Sequence, residues 1–283
     1  MAEAGAPALN PLVSTDELAQ NPDWRVFDCR HDLANPDWGL EEYGKAHIPG
    51  ALFAHLDRNL SAEKTGKNGR HPLPEMQDFV RFLEKSGIRP TDPIICYDAG
   101  PGPMAARLWW MLRWAGHAQA AVLDGGFAKW VAEGRPVTAD APLITGTKYK
   151  GNPERSRSVA LATVERQLKR LALLDARAPA RYRGEQEPID PVAGRIPGAM
   201  NRFNNDNVQG DGTFKSPEVL RADFEKILSG KKPQEIVHYC GSGVAACHNA
   251  LAMEIAGLTG SRVYIGSWSE WSADPTRPIS RSV

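Results

Sequence analysis

The residue best placed to do chemistry is Cys240, in the stretch Glu235-Ile-Val-His-Tyr-Cys240-Gly-Ser-Gly-Val-Ala-Ala246. Ile236, Val237 and Tyr239 predict the end of a buried strand, and Cys240 falls where that strand stops. Gly241 and Gly243 free the backbone for a tight turn. From Val244 to Ala256 the apolar spacing becomes helical, with Leu251, Ile255 and Leu258 on one face. In a Gly-rich turn, successive N–H groups can converge on one point. The N-terminus of the following helix adds partial positive charge there. Both effects favour a thiolate, the nucleophilic form of cysteine. The same position would also suit a buried, inert thiol, so the rest of the chain has to decide between them.

Composition narrows the partners. The 283 residues are enough for two ordinary domains, and the formal net charge is zero. No basic excess points to nucleic acid or to an anionic membrane surface. No apolar run is long enough to span a bilayer. The N-terminal Met-Ala-Glu-Ala-Gly-Ala-Pro has no basic or apolar leader pattern. Cysteine occurs only at Cys29, Cys96, Cys240 and Cys247, too sparsely for a disulfide scaffold. There is no CxxC and no Cys/His spacing suited to zinc, so neither a metal nor a cofactor is expected. A reducing cytoplasm fits this pattern, and Cys247, two helical turns beyond Cys240, reads as structural.

The elements that must position Cys240 occur twice. Val26-Phe-Asp-Cys-Arg30 matches Leu173-Leu-Asp-Ala-Arg177, and Ala46-His-Ile-Pro-Gly-Ala51 matches Gly194-Arg-Ile-Pro-Gly-Ala199. Pro93 to Asp98 matches Glu235 to Cys240, and Asp124-Gly-Gly-Phe-Ala-Lys-Trp130 matches Ile265-Gly-Ser-Trp-Ser-Glu-Trp271. The offsets are 147 for Asp28 to Asp175, 148 for Pro49 to Pro197, 142 for Asp98 to Cys240 and 141 for Trp130 to Trp271. Landmarks in one order at nearly one spacing predict duplicated units. We read residues 1–138 as the first unit, 139–158 as a Pro- and Gly-rich linker, and 159–283 as the second.

Each unit alternates short apolar strands with helical segments, the signature of an α/β fold with a mostly parallel sheet flanked by helices. Helices are expected from Met76 to Leu83, from near Ala105, and after Ser216 as N-cap with Pro217 as first helical residue. Ligands of such sheets bind at the carboxyl ends of the strands, where Cys240 lies. In the first unit Asp98 takes its place. Asp cannot act as a thiolate, and Pro101 and Pro103 remove N–H donors from the loop. The first unit therefore reads as catalytically inactive and as a wall of the cleft.

These landmarks resemble the two-domain rhodanese family of sulfurtransferases, over about residues 12 to 275. The loop Cys240-Gly-Ser-Gly-Val-Ala245 resembles the form found in the branch that uses mercaptopyruvate, apart from Ala245, where a Thr is usual. The thiosulfate-using branch typically carries charged residues directly after the cysteine. The ending, Ile265 to Trp271, resembles the family's C-terminal motif. The resemblance implies that Cys240 takes sulfur from a donor as a persulfide and passes it to a thiol such as thioredoxin or glutathione, or to cyanide. Thiosulfate is the alternative donor. Gly241, Gly243, Val244 and Ala245 would supply the loop that cradles the sulfur.

Further positions carry over singly. Arg181 matches an arginine that binds the donor's carboxylate, a task suited to a planar, fork-shaped cation. Its usual companion in a Glu-Pro-Arg stretch is replaced here by Ile189, so Arg183 or Arg195 would have to substitute. Asp57 and His71 match the acid and histidine that assist proton transfer with the hydroxyl of Ser242. His71 lies in a charged loop, Ser61 to Pro74, that reads as flexible. His238 and His248 flank the cysteine and read as packed. Trp109, Trp110, Trp114, Trp130, Trp268 and Trp271 read mostly as packing residues.

A cysteine phosphatase would need an arginine six residues after the nucleophile, and Ala246 stands there. A non-catalytic binding module is the other class to weigh. An intact Gly-Ser-Gly loop in just one of two repeats argues against it.

Overall fold

The computed structural model describes residues 9–281. In the first unit come β1 (Leu12–Val13), α1 (Thr15–Gln20), β2 (Arg25–Asp28), α2 (Trp38–Lys45), β3 (Leu52–Phe53), α3 (Met76–Lys85), β4 (Ile94–Tyr97), α4 (Pro103–Trp114), β5 (Ala120–Leu123) and α5 (Gly126–Ala132). The second contributes α6 (Leu161–Gln167), β6 (Ala172–Asp175), α7 (Pro179–Arg183), β7 (Met200–Asn201), α8 (Pro217–Leu228), β8 (Ile236–Tyr239), α9 (Ala245–Ile255), β9 (Arg262–Val263) and α10 (Ser267–Trp271). The sheets run β1-β5-β4-β2-β3 and β7-β6-β8-β9, and every pairing within them is parallel. The expected α/β architecture is present in both halves.

The repeat extends to individual hydrogen bonds. Arg30 grips the buried Asp28, reaching Oδ2 at 2.6 Å, and also donates to the Ala46 carbonyl at 2.7 Å. Arg177 does the same to Asp175 at 2.7 Å and to the Gly194 carbonyl at 2.7 Å. Tyr97 and Tyr239 each accept, at 3.3 Å, from the amide of the matching isoleucine, Ile48 or Ile196. Trp130 and Trp271 each send their indole N–H to a proline carbonyl, Pro136 or Pro278. Buried ion pairs of this kind must be well bonded to offset their desolvation, and each here has several partners.

Helix boundaries follow local chemistry. The Ser216 hydroxyl accepts from the Val219 amide at 3.4 Å and Pro217 opens α8, as expected. α4 starts at Pro103, earlier than the spacing suggested, because proline at the first helical position gives up only an N–H with no helical partner. The segment read as a linker packs against the first unit, on α3 and the turn after α4. Thr147 N–H donates to the Glu84 carbonyl at 3.0 Å, and the Tyr149 hydroxyl meets His117 Nδ1 at 3.2 Å.

α4 of the first unit packs along α9 of the second. One apolar cluster therefore runs through both units, from Trp109 and Trp110 to Leu251 and Met253. The six tryptophans singled out above are all buried. Truncating one such ring to Ala would cost about 3–5 kcal/mol. The seam between the units ends at the carboxyl edge of β8, which is where the cysteine loop begins. Among the described residues no helix is long and apolar enough to cross a membrane.

Candidate active site

Cys240 stands at the end of β8, only 3% exposed. The Gly243 N–H donates to its Sγ at 3.1 Å. That turn requires Gly243, whose φ is +80° and whose missing Cβ would run into the Ile265 carbonyl. The start of α10 pins the loop from the other side: Trp268 N–H donates to the Cys240 carbonyl at 3.0 Å and Ser269 N–H to the Gly241 carbonyl at 2.9 Å. The Cys240 amide donates to Ser267 Oγ at 3.1 Å, and that hydroxyl donates to the Tyr264 carbonyl at 2.9 Å. Ser267 has φ +57°, a left-handed conformation uncommon for a residue with a Cβ. The amides of Ser242, Val244 and Ala245 have no hydrogen-bond partner among the described residues. The Cys247 thiol donates to the Gly243 carbonyl at 3.2 Å, and burial pushes its pKa up to about 12. It supports the loop as a neutral thiol.

His71 reaches this loop from the first unit. Its Nδ1 lies 2.9 Å from Ser242 Oγ, and its Nε2 lies 3.6 Å from Asp57 Oδ1. The three residues taken from the resemblance thus form a chain across the seam. The reading of Ser61–Pro74 as a flexible charged loop is corrected at its end, where His71 is 4% exposed. Ser61 itself is also buried, and the Ala62 amide donates to the Pro72 carbonyl at 2.9 Å. The arm's two ends are thereby tied together. Burial, with the nearby Arg107 guanidinium, lowers the His71 pKa to about 3. The ring is therefore neutral near pH 7. With the carboxylate beside Nε2, that nitrogen carries the proton and Nδ1 accepts from the Ser242 hydroxyl. Burial raises the Asp57 pKa, but Lys64, 2.9 Å away, and His71 outweigh it, leaving the carboxyl below its ordinary value.

Arg107 of α4 was not anticipated. It is fully buried, and its guanidinium donates to the carbonyls of Gly243 at 3.3 Å, Leu60 at 3.0 Å and His71 at 3.2 Å. It therefore clamps the cysteine loop and the His71 arm together from beneath. A lone cation in the otherwise apolar run Ala105 to Leu112 was the available signal.

Arg181 lies over the loop as expected. Its Nε and Nη2 edge donates to Glu187 at 3.2 and 2.6 Å, and Nη2 also to Asp190 at 3.2 Å. Arg183 and Arg195 do not join it, so the suggested substitution by either is corrected. Arg183 pairs with Glu185 at 2.5 Å on the surface, and Arg195 packs over the Tyr182 ring. Ile189 is 45% exposed. The second guanidinium over the loop is Arg70, next to His71. It donates to Asp190 through Nε at 3.0 Å and Nη2 at 3.3 Å. Cys240, Gly241, Ser242, Val244, Ala245, Arg70 and Arg181 line one cavity of about 270 Å³, along with residues of both units.

Other groups nearby have structural partners. His248 Nε2 lies 2.7 Å from the Pro101 carbonyl, tying α9 to the Asp98 loop of the first unit. His238 is buried in β8 with neither ring nitrogen hydrogen-bonded. Ligand atoms of His31, Asp57 and His71 lie within 4.8 Å of one another, a spacing open to a metal ion. The Lys64 ammonium already supplies the positive charge at Asp57.

A cysteine in an amide-rich loop at the carboxyl edge of a parallel sheet, with an acid in the same place in a second copy, defines a class of duplicated cysteine-loop proteins. The family model for the rhodanese-like domain matches residues 14–133 and again 160–274, and the chain belongs to that family as a tandem-domain sulfurtransferase. It is 46% identical to a probable 3-mercaptopyruvate sulfurtransferase of Pseudomonas aeruginosa, over 95% of this chain and 97% of that protein. It is 36% identical to a putative thiosulfate sulfurtransferase of Mycobacterium tuberculosis, over 90% of each. Among solved structures it is similar to the 3-mercaptopyruvate sulfurtransferase from Leishmania major, with TM-score 0.85 and 30% identity, covering 94% of this chain and 76% of that one.

Proposed function

We propose that this chain moves sulfur from 3-mercaptopyruvate to a thiol acceptor, such as thioredoxin or glutathione, or to cyanide, through a persulfide on Cys240. The observation that carries the reading is the Gly243 amide aimed at Sγ, in a loop whose Ser242, Val244 and Ala245 amides remain free for the outer sulfur. The Cys240 thiolate attacks the donor's sulfur. The S–S bond forms as the donor's C–S bond breaks, and its electron pair leaves on the enolate of pyruvate. The donor's thiol proton ends on the enolate carbon, so the half-reaction is balanced without any redox partner. The Ser242 hydroxyl and neutral His71, oriented by Asp57, support that proton's route. Arg181 holds the carboxylate. Acceptor thiolate then removes the outer sulfur, completing a ping-pong cycle.

The first domain, residues 1–138, takes no sulfur in this reading. With the 139–158 linker, it encloses the catalytic domain, residues 159–283, and lends it His71. Residues 1–8 and 282–283 lie outside the described structure. Mass spectrometry of the Cys240 peptide after incubation with 3-mercaptopyruvate tests the step: one added sulfur is expected, and an unmodified peptide overturns it. Comparing kcat/KM for 3-mercaptopyruvate and thiosulfate tests the donor, with the first expected to be favoured.

A further inference from the structure

A second cluster of reactive side chains lies at the carboxyl edge of the first sheet, beside the proton route. His31 follows β2, Asp57 follows β3, and His71 comes from the arm ahead of α3. One ligand atom from each lies within 4.8 Å of the others. All three belong to the first domain, so the cluster is built without a residue of the cysteine loop.

The hydrogen bonding leaves these groups open. His71 is buried, and its Nε2 stands 3.6 Å from Asp57 Oδ1, beyond hydrogen-bond distance. His31 Nδ1 is also buried, with no hydrogen-bond partner among the described residues. His55 packs edge-on against the His31 ring, with 5.6 Å between centroids. Buried polar atoms left unpaired call for an explanation, and a bound ion is one. Two imidazoles and one carboxylate are a donor set suited to zinc, with one position open to water. Zinc binds such atoms at about 2.0–2.2 Å, which puts neighbouring ligands of a tetrahedral shell roughly 3.4 Å apart. The pair of Asp57 and His71 is already close to that spacing. Lys64 pairs with Asp57 at 2.9 Å, but its side chain is 52% exposed and can turn out into water.

We propose that His31, Asp57 and His71 form a binding site for a divalent transition-metal ion, zinc by its donor set, and that the bound ion switches sulfur transfer off. The inhibition rests on the sulfurtransferase reading above, and the binding does not. The ion takes the lone pair of His71 Nε2, so the ring's single proton moves to Nδ1. That nitrogen then donates to Ser242 Oγ, 2.9 Å away, instead of accepting from it. The imidazole stays neutral, but the hydroxyl loses its proton acceptor.

Zinc also binds thiolates, so its affinity is measured on Cys240→Ser. Calorimetric titration should find one ion per chain. Adding His31→Gln should weaken binding at least 10- to 100-fold, the range seen when even an outer partner of a metal ligand is lost. Adding Lys64→Ala should tighten it by up to about fivefold, because it removes an exposed ion pair that the metal has to break. With Cys240 intact, His31→Gln should raise the zinc concentration for half-inhibition by a similar factor, each enzyme being scored against its own rate in chelator. No zinc bound by Cys240→Ser, or an affinity that His31→Gln leaves unchanged, overturns the site. Inhibition that His31→Gln leaves unchanged puts the ion on the Cys240 sulfur and also overturns the proposal. Binding at these ligands with wild-type turnover untouched overturns the inhibition and the proton route through His71, but not the persulfide on Cys240.

Discussion

The loops at Asp98 and Cys240 start from the same frame and end in opposite chemistry. Phe127 N–H donates to the Asp98 carbonyl at 2.8 Å, as Trp268 N–H does to the Cys240 carbonyl at 3.0 Å. Beyond that point they diverge. Asp98 turns its carboxylate back into its own loop, accepting from the amides of Gly100 at 3.2 Å, Gly102 at 3.1 Å, Met104 at 2.9 Å and Ala105 at 3.2 Å. The first domain therefore fills its loop with a fixed internal carboxyl group, whose pKa burial raises against the pull of those amides. The second domain puts a sulfur there that takes one amide, from Gly243, and leaves others unbonded. The same frame thus carries a carboxyl group bonded by its own loop in one repeat and a cysteine with unbonded amides around it in the other. In the first domain that carboxyl group braces its own loop.

Cys240→Ser carries the largest expected effect. Serine is a poor nucleophile without a base at hand, so sulfur transfer should vanish while circular dichroism and the melting profile stay near wild type. Measurable turnover would place the sulfur-carrying residue elsewhere. The converse, Asp98→Cys, should not make the first domain active, because Pro101 and Pro103 leave that loop without two of the amides available after Cys240. A persulfide detected on the new cysteine would show that the carboxylate alone had silenced it.

Acid separates the two sheets next. The first-domain counterpart of His238 is Cys96, and that of His248 is Ala106. Burial lowers the pKa of His238 to about 3 and that of His248 to about 4, against about 6.5 in an unfolded chain. Between those values the unfolded chain binds protons that the folded one refuses. Stability should be fully present above pH 6.5 and fall as the pH drops toward 4. The slope should approach ~1.4 kcal/mol per pH unit for each such histidine. Denaturant titrations of wild type and His238→Cys, which copies the first sheet, would check this. The variant's slope should be shallower by about one proton's worth, and an unchanged slope would remove His238 from the account.

Asp98→Asn sharpens the comparison through stability. An amide nitrogen would face N–H donors, so two of the four bonds would be lost in a buried loop. A cost of about 2–3 kcal/mol is expected, read as a lower melting temperature. At temperatures where the variant is folded, kcat should remain close to wild type.

Much of this was legible in the chain because the repeat supplied an internal alignment. Asp28, Arg30 and Tyr97 pointed to Asp175, Arg177 and Tyr239, and the structure gives both sets the same bonds. The cysteine loop was legible because its residue types and glycine spacing are local. The site's long-range partners were not. Arg70 and Arg107 act across gaps of 120 and 136 residues, on Asp190 and Gly243, and no local period encodes such a meeting. His71 came only through the resemblance. Its charged surroundings suggested exposure, whereas docking against Ser242 and Arg107 buries it.

A further difference between the halves is a single hydroxymethyl group. Gly126, with φ +60°, occupies in the first domain the position of Ser267, with φ +57°, in the second. Glycine takes that conformation freely, whereas serine bears a cost of roughly 1 kcal/mol. In return its hydroxyl accepts from the Cys240 amide, which fixes the base of the nucleophile. Ser267→Gly and Ser267→Ala separate the two effects. Both remove the bond, and both should lower kcat several-fold by loosening Cys240, since roughly 1 kcal/mol of positioning corresponds to about fivefold in rate. Only the glycine variant also releases the backbone strain, so it should melt at a higher temperature than the alanine variant. If both variants kept full kcat, the hydroxyl would serve the fold alone, and the left-handed serine would have no bearing on the sulfur.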